Sequence, residues 1–359
     1  MTSNPEPSDS AEPDASQSLV PPALSPDELL PPVEPPSAGF IIQLFVVPAV
    51  IVAMVVLVGW LVTMMATSGV RDPKQIVAAL SSSNPGRWQE AFELANALRT
   101  DTQEVGLKSN SELAQQLGEL LQRECEVGNV DDTSVKLRTF LCSALGEFRV
   151  DDGVGALLVA AREDKDEFVR GSAINSLAVL SQTFQSLDPP RKLHHEDLVE
   201  TLVDLANGES GVIRSHVAFA LGVMTLSEDA EPQLTEELEK LVDDLHADAR
   251  YNAALGLARR GSPLAVAPLV EMLDLQSLSE SIQGETLPQL QTRKRNTILK
   301  NALDAVLLMK EKNPTADLKP LRTALEKFIE EAPDWKSEGE VPEPLIERAK
   351  DVREKLKLR

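Results

Sequence analysis

Residues 247–275, ADARYNAALGLARRGSPLAVAPLVEMLDL, constrain the fold more than any other stretch of this 359-residue chain. Ala253, Ala254, Leu257 and Ala258 recur at helical spacing, Gly261-Ser262-Pro263 turns the chain, and Val266, Leu269, Val270 and Leu273 form a second apolar stripe. Two helices this short cannot bury their apolar faces in each other alone. The unit therefore demands neighbours built like itself.

Those neighbours are present. In register on an arginine, Arg138, Arg170, Arg214 and Arg250 each have an apolar residue three positions on (Leu141, Ala173, Val217, Ala253) and leucine at seven (Leu145, Leu177, Leu221, Leu257). Position eight holds glycine or alanine (Gly146, Ala178, Gly222, Ala258), and position six is small throughout (Ala144, Ser176, Ala220, Gly256). The arginines stand 32, 44 and 36 residues apart. A fainter copy begins at Arg87, with Leu94 and Ala95 at seven and eight, and a copy in poorer register covers 295–309. The Leu and Ala columns are expected to be core. The Arg column, with the nearby acids Glu167 and Asp248, is expected to hydrogen-bond between repeats.

From residue 70 the pattern is helical, with helices expected at 74–80, 88–98, 111–126, 133–148, 154–162, 167–180, 195–206, 212–226, 233–245, 249–259, 265–273, 292–309, 318–329 and 342–356. No alternating strand pattern interrupts them. The low aromatic content, 4%, suits closely packed Ala- and Leu-rich helices. The fold class is all-α: an α-solenoid of stacked antiparallel helix pairs over 70–332, a linker and capping helix over 333–359, and before them a transmembrane helix and a disordered tail.

The membrane segment rests on composition. No charged residue occurs between Pro35 and Val70, and the centre, FIIQLFVVPAVIVAMVVLVGWLVTMM over 40–65, would span about 39 Å as a helix, enough for a hydrocarbon core of roughly 30 Å. A transmembrane helix is expected over 39–66, its anchor represented by Phe40, Val47, Val55 and Trp60, the last where an interfacial aromatic belongs. A cleaved signal peptide fits poorly: the apolar run is too long, starts too late and lacks a positive leader. Residues 1–38 hold seven acids, ten prolines and no Lys or Arg, the composition of a disordered acidic spacer. Arg71, Lys74 and Arg87 follow the span while nothing basic precedes it, so the positive-inside rule places the carboxy-terminal domain in the cytoplasm of a single-pass membrane protein.

Charge and motif content exclude other classes. The net charge of −22 repels nucleic-acid phosphate, and no Lys/Arg-rich stretch with interleaved aromatics offsets it. Cys125 and Cys142 give neither a disulfide framework nor metal spacing and read as small buried hydrophobes. His194-His195-Glu196-Asp197 is the most chemical-looking cluster, but its place before an apolar-periodic run makes Glu196 and Asp197 first-turn acids of a helix. No nucleophile elbow, phosphate-cradling loop or zinc spacing occurs, so no enzyme activity, cofactor, metal or small-molecule substrate is expected.

A helix reading D/E-x-x-R-x-x-A-x-x-A-L-G, a short turn, then A-V-x-x-L-x-x-x-L resembles the HEAT repeat, particularly the short bacterial HEAT-like subgroup of the phycobilisome-lyase type. Residues 248–273 match best, then 212–242 and 134–161, while 167–204 carries a long insert over 181–195. The resemblance spans about residues 85–310 and implies a curved right-handed superhelix whose second helices line the concave face. Deoxyhypusine hydroxylase, a HEAT-repeat enzyme, carries a His-Glu pair at the start of several repeat helices. Here those positions hold Ser215-His216, Thr139-Phe140, Gly171-Ser172 and Tyr251-Asn252, so the resemblance brings no di-iron site.

On the second helices, Leu198, Leu202, Leu234, Leu238 and Leu241 leave Glu200, Asp204, Glu236, Glu239, Lys240 and Asp243 facing outward. The expected function is a membrane-anchored scaffold that binds a protein partner through this acidic concave face, for which a basic segment is the complementary chemistry; the alternatives are a HEAT-type enzyme or cofactor- or metal-handling module, lyase-like or metal-dependent, and a purely structural envelope component. The lipid bilayer is contacted through 40–65.

Overall fold

The computed structural model describes residues 37–67, 73–82, 84–100, 106–208, 210–227, 229–337 and 339–357. The expected acidic tail up to residue 36, Arg71, and the side chains of Phe40 and Lys74 lie outside the described residues. Two units divide the chain, Met1–Gly69 and Val70–Arg359.

In the first unit, α1 (Ala38–Thr67) is one continuous helix running through Pro48. Its centre, Ile42–Leu61, has a mean hydropathy of 2.8. It is long and apolar enough to cross a membrane. Val47, Val55 and Trp60 are all exposed.

The second unit is two layers of helices. One layer holds α3 (Arg87–Thr100), α5 (Asp132–Gly146), α7 (Glu167–Gln185), α9 (Gly211–Met224), α11 (Ala247–Arg259), α14 (Pro288–Lys312) and α16 (Glu343–Lys357), each packed on the next. Beside it run α2 (Pro73–Leu80), α4 (Ser111–Val127), α6 (Val154–Glu163), α8 (Leu198–Ala206), α10 (Pro232–Lys240), α12 (Val266–Leu273) and α15 (Lys319–Glu331). The architecture is an all-α solenoid of HEAT-like helix pairs. Among the described residues there is no strand, only an isolated bridge between Ser337 and Gly339.

Local chemistry sets the helix ends. The side chains of Asn110, Asp131, Asp166 and Ser210 accept from the first-turn N–H groups of α4, α5, α7 and α9, the orphan donors that a cap satisfies. Gly261 ends the first helix of the founding pair at φ 70°, and a Cβ there would press on Asn313 and Lys312 at 3.0 Å. Asn313 Nδ2 donates to the Gly261 carbonyl (3.0 Å), which ties this turn to the end of α14.

α5, α7, α9 and α11 are each packed between two neighbours of their own layer and against the second layer, which is why their central residues are apolar or small on most sides. The small columns at six and eight have one cause. A Cβ on Gly146 would meet Ser176 Cα at 3.0 Å, and one on Gly256 would meet Gly222 Cα at 2.6 Å. Position eight of one helix thus abuts position six of the next, and the backbones approach there as no larger pair allows.

Four features differ from the sequence expectation. Residues 275–281 form an additional helix, α13 (Leu275–Ser281), capped by Asp274 and inserted between the α11–α12 pair and α14. α7 continues to Gln185, so the insert is shorter and begins at Ser186. α8 starts at Leu198 rather than 195; Glu196 and Asp197 precede it, and the Asp197 N–H donates to His195 Nδ1 (3.2 Å). These acids sit in a turn, because the imidazole supplies the local acceptor that a helix start would otherwise take from a capping side chain. α10 stops at Lys240 and passes into a 3-10 turn, Leu241–Asp243.

Candidate interaction surfaces

The arginine column proves to be a series of clamps across the inter-repeat turns. Arg138, wholly buried, donates from Nε and Nη2 to Asp164 (2.7 and 3.2 Å) and from Nη1 to the Asn129 carbonyl (2.8 Å). Arg214 repeats this on Asp244 (2.6 and 2.9 Å) and the Gly208 carbonyl (2.8 Å). Arg250 binds Glu271 and the Asp244 carbonyl (2.6 Å), and Arg87 binds Glu124 in the same bidentate way (2.7 and 2.9 Å). Asp164 and Asp244 each also accept the N–H two residues on, from Asp166 and His246. One carboxylate therefore joins a second helix, a first helix and the turn that starts the next repeat.

Burial by itself would raise the Asp244 carboxyl. The Arg214 guanidinium and the His246 N–H outweigh it and hold the pKa below the usual carboxylate value, while Arg214 is raised by the same hydrogen bond. The partners are not the acids the sequence suggested. Asp248 pairs with Lys294 (2.8 Å), and Glu167 accepts from Ser210 and lies 3.9 Å from Arg170. At the place of Asp164 and Asp244, two residues before a capping position, the third repeat has Gly208. Arg170 accordingly lacks a carboxylate fork, and its Nε is buried without a partner. Arg295, in α14, donates to the carbonyls of Gly339 and Glu340 (2.9 Å each) and fixes the linker that precedes α16.

All six expected binding residues are exposed: Glu200 and Asp204 on α8, Glu236, Glu239 and Lys240 on α10, and Asp243 in the following turn. α8 and α10 pack side by side. Lys240 pairs with Glu237 (2.6 Å), and none of the five exposed carboxylates forms an ion pair among the described residues.

Midway along α5, α7, α9 and α11 a narrow stripe of side chains reaches solvent. It consists of the residues two and five places after each register arginine: Phe140 and Ser143, Ser172 and Asn175, His216 and Phe219, Asn252 and Leu255. At its amino-terminal end Phe92 stands edge-on to Phe140 (5.1 Å between centroids), which also stacks on Trp88. None of these residues is charged, except as His216 titrates. Its Nδ1–H donates to Asn175 Oδ1 (3.1 Å), and burial lowers its pKa against the opposing pull of Glu167 and Asp248, so it is neutral near pH 7. The ring lies where a Cβ on Gly171 would sit, 2.6 Å from Nε2. Sequence patterning missed this stripe; the signal was an absence of charge at two fixed positions.

His194 and His195 border a small cavity of about 40 Å³ beneath the insert, with Lys192, Leu193, Leu198 and Leu234. The insert is held down by Lys192, which pairs with Glu231 (2.7 Å), and by Arg191 over the Phe184 ring (4.7 Å). No group of three or more His, Cys, Asp or Glu side chains placed to hold a metal ion occurs among the described residues.

Residues 199–280 match the family model of HEAT repeats. The match runs from α8 into α13 and contains the founding pair, α11 and α12. Among solved structures the chain is similar to the X-ray structure of YibA from Escherichia coli, at 14% identity and a TM-score of 0.38, over 80% of this chain and 93% of that one. No curated protein matches it in sequence.

Proposed function

We propose that this chain is a membrane-anchored scaffold whose HEAT-like solenoid holds a protein partner through the exposed acids of its second helices. The observation that carries the reading is the row on α8 and α10, where Glu200, Asp204, Glu236, Glu239 and Asp243 have no compensating ion pair among the described residues. Like charges held side by side raise each other's energy, and a Lys- or Arg-rich segment relieves it. HEAT repeats commonly mediate protein–protein interaction, and the repeat match includes this row. α1 supplies the anchor, with Val47, Val55 and Trp60 in the bilayer, and the basic residues after it favour a cytoplasmic solenoid.

The test is affinity capture of the full-length protein from detergent extracts after crosslinking, in parallel with a Glu236→Lys/Glu239→Lys/Asp243→Lys variant. A partner bearing a basic segment is expected with the native protein and should be lost with the variant, its recovery falling with salt. Identical recoveries from both would overturn the acidic-face assignment.

A further inference from the structure

Among the described residues Leu245 is the most exposed large apolar side chain, at 96%. A singly exposed leucine is ordinary on a protein surface, but this one stands on a turn that cannot rotate it inward. Arg214 forks the Asp244 carboxylate before it (2.6 and 2.9 Å), and Arg250 Nη1 donates to the carbonyls of Asp244 (2.6 Å) and of Leu245 itself (3.1 Å). The clamps of two successive repeats thus hold Leu245 out in water. Asp243, exposed and without an ion pair among the described residues, lies two residues before it, and Glu239 lies one turn earlier.

A seat of complementary chemistry occurs at the carboxy-terminal end of the same solenoid. Where α14 ends, α15 begins and α16 ends, a pocket of about 340 Å³ is lined by apolar Ala316, Leu318 and Leu356 and by the cations Lys310, Lys319 and Arg322. Asp317 is the one carboxylate among its lining residues, and its Oδ1 already accepts the Lys319 N–H (3.1 Å). Lys310 donates to the Lys355 carbonyl, a neutral acceptor, the Lys319 ammonium forms no ion pair among the described residues, and Arg322 reaches only Glu326, at 4.0 Å. The lining is therefore net positive. The sequence has the same polarity on a larger scale: residues 288–359 hold sixteen Lys and Arg against thirteen Asp and Glu, and residues 70–287 hold nineteen against thirty-seven. The carboxy-terminal end of one copy is drawn to the acidic body of another.

Knob and seat of one chain cannot meet. Asn313 Nδ2 donates to the Gly261 carbonyl (3.0 Å), so the pocket lies by the carboxy-terminal end of α11, whereas Leu245 precedes its amino-terminal end. The 13 residues of α11 separate the two by about 20 Å.

We propose that the pocket receives Leu245 of a second copy, its side chain against Ala316, Leu318 and Leu356, with Asp243 and Glu239 of that copy facing Lys319, Arg322 and Lys310. The proposal rests on the scaffold reading, since it makes the basic partner of the acidic row another copy of this chain. The contact is heterologous: each pairing leaves one knob and one seat unused, so copies add head to tail until a ring closes or a filament grows.

Sedimentation velocity of the full-length protein in detergent, followed over protein concentration, tests it. The native protein should form assemblies larger than a pair. Leu245→Ser should weaken association at least about tenfold, the loss of one buried leucine. Lys319→Glu/Arg322→Glu should weaken it as well, and adding Glu239→Lys/Asp243→Lys to that same chain should recover it. When Leu245→Ser and Lys319→Glu/Arg322→Glu copies are mixed, association should stop at pairs, because each supplies only the half that the other lacks. Phe168→Ser, which removes an exposed apolar side chain from another turn, should change nothing. All the substituted residues are exposed, and equal melting temperatures would show the fold intact. A native protein that stays monomeric, or association unchanged in both Leu245→Ser and Lys319→Glu/Arg322→Glu, overturns the contact. If such a protein still captures a basic partner through the acidic row, the scaffold reading survives that failure.

Discussion

Gly256 of α11 lies so close to Gly222 of α9 that a Cβ on Gly256 would come within 2.6 Å of the Gly222 Cα. The contact sets how closely two successive repeats approach, and the same relation joins Gly146 to Ser176. Gly256→Ala is favoured by helix propensity, by about 1 kcal/mol. Backbone against backbone cannot relax as a side-chain tip can, so overpacking should prevail and leave a net loss of about 1–3 kcal/mol. Calorimetry of the purified protein should show the solenoid transition lowered by several degrees, whereas Gly284→Ala, with nothing within 4 Å of the new Cβ, should not move it.

The arginine clamps differ in what their removal strands. Arg138→Met leaves Asp164 buried without its counter-charge and should cost about 3–5 kcal/mol in denaturant unfolding. Arg138→Met/Asp164→Asn should recover part of that loss, because the stranded charge is gone. Arg170 has no carboxylate fork, only Glu167 at 3.9 Å, so Arg170→Met should cost under about 1 kcal/mol. Equal losses at the two arginines would mean that the guanidinium stems matter by packing and that the forks add nothing.

What the sequence disclosed and what it concealed follow from how contacts recur. The leucines at seven and the small residues at six and eight meet the same neighbour in every repeat, so they appear as columns. The acids that bind the arginines lie 26, 30 and 21 residues downstream, across turns of different length, and no fixed period exposes them. A local spacing does: Asp164 and Asp244 each stand six residues before the next arginine, Arg170 and Arg250. α13 escaped because seven residues are too few for a periodic stripe. His194 to Asp197 misled because acids before an apolar run usually open a helix, and here His195 accepts the N–H first. The exposure of Glu200, Asp204, Glu236, Glu239 and Lys240 was legible because α8 and α10 are amphipathic.

His216 gives the solenoid a dependence on pH distinct from that of its carboxylates. Burial lowers its pKa from 6.5, with Glu167 and Asp248 pulling the other way. The unfolded chain therefore binds a proton that the folded one resists, and the stability present above about pH 6.5 declines as pH falls below it. Asp244 has the opposite origin: its folded pKa lies below 3.8, so its contribution persists until far lower pH. Between pH 7.5 and 5.5 the native melting temperature should drop more than that of His216→Gln, which keeps a neutral polar side chain in place. Parallel slopes for the two proteins would remove His216 as the cause.

Cys125 on α4 and Cys142 on α5 provide a probe of the amino-terminal repeats that needs no mutation. Both are buried. Burial, then the hydrogen bond and charge of Asp164, push the Cys125 thiol up to about 12, and burial raises Cys142 well above its ordinary value. Only the thiolate attacks a disulfide reagent, so at pH 8 both sulfurs should be inert in the folded protein. Titration with an aromatic disulfide should release no chromophore in buffer and two equivalents in denaturant, rising along the unfolding curve of the helices. In Arg138→Met the Cys125 thiol loses the nearby cation that favours its ionised form, yet the weakened clamp opens the repeat more often. Faster labelling than in the native protein would identify opening as the controlling step, and slower labelling would identify thiol ionisation.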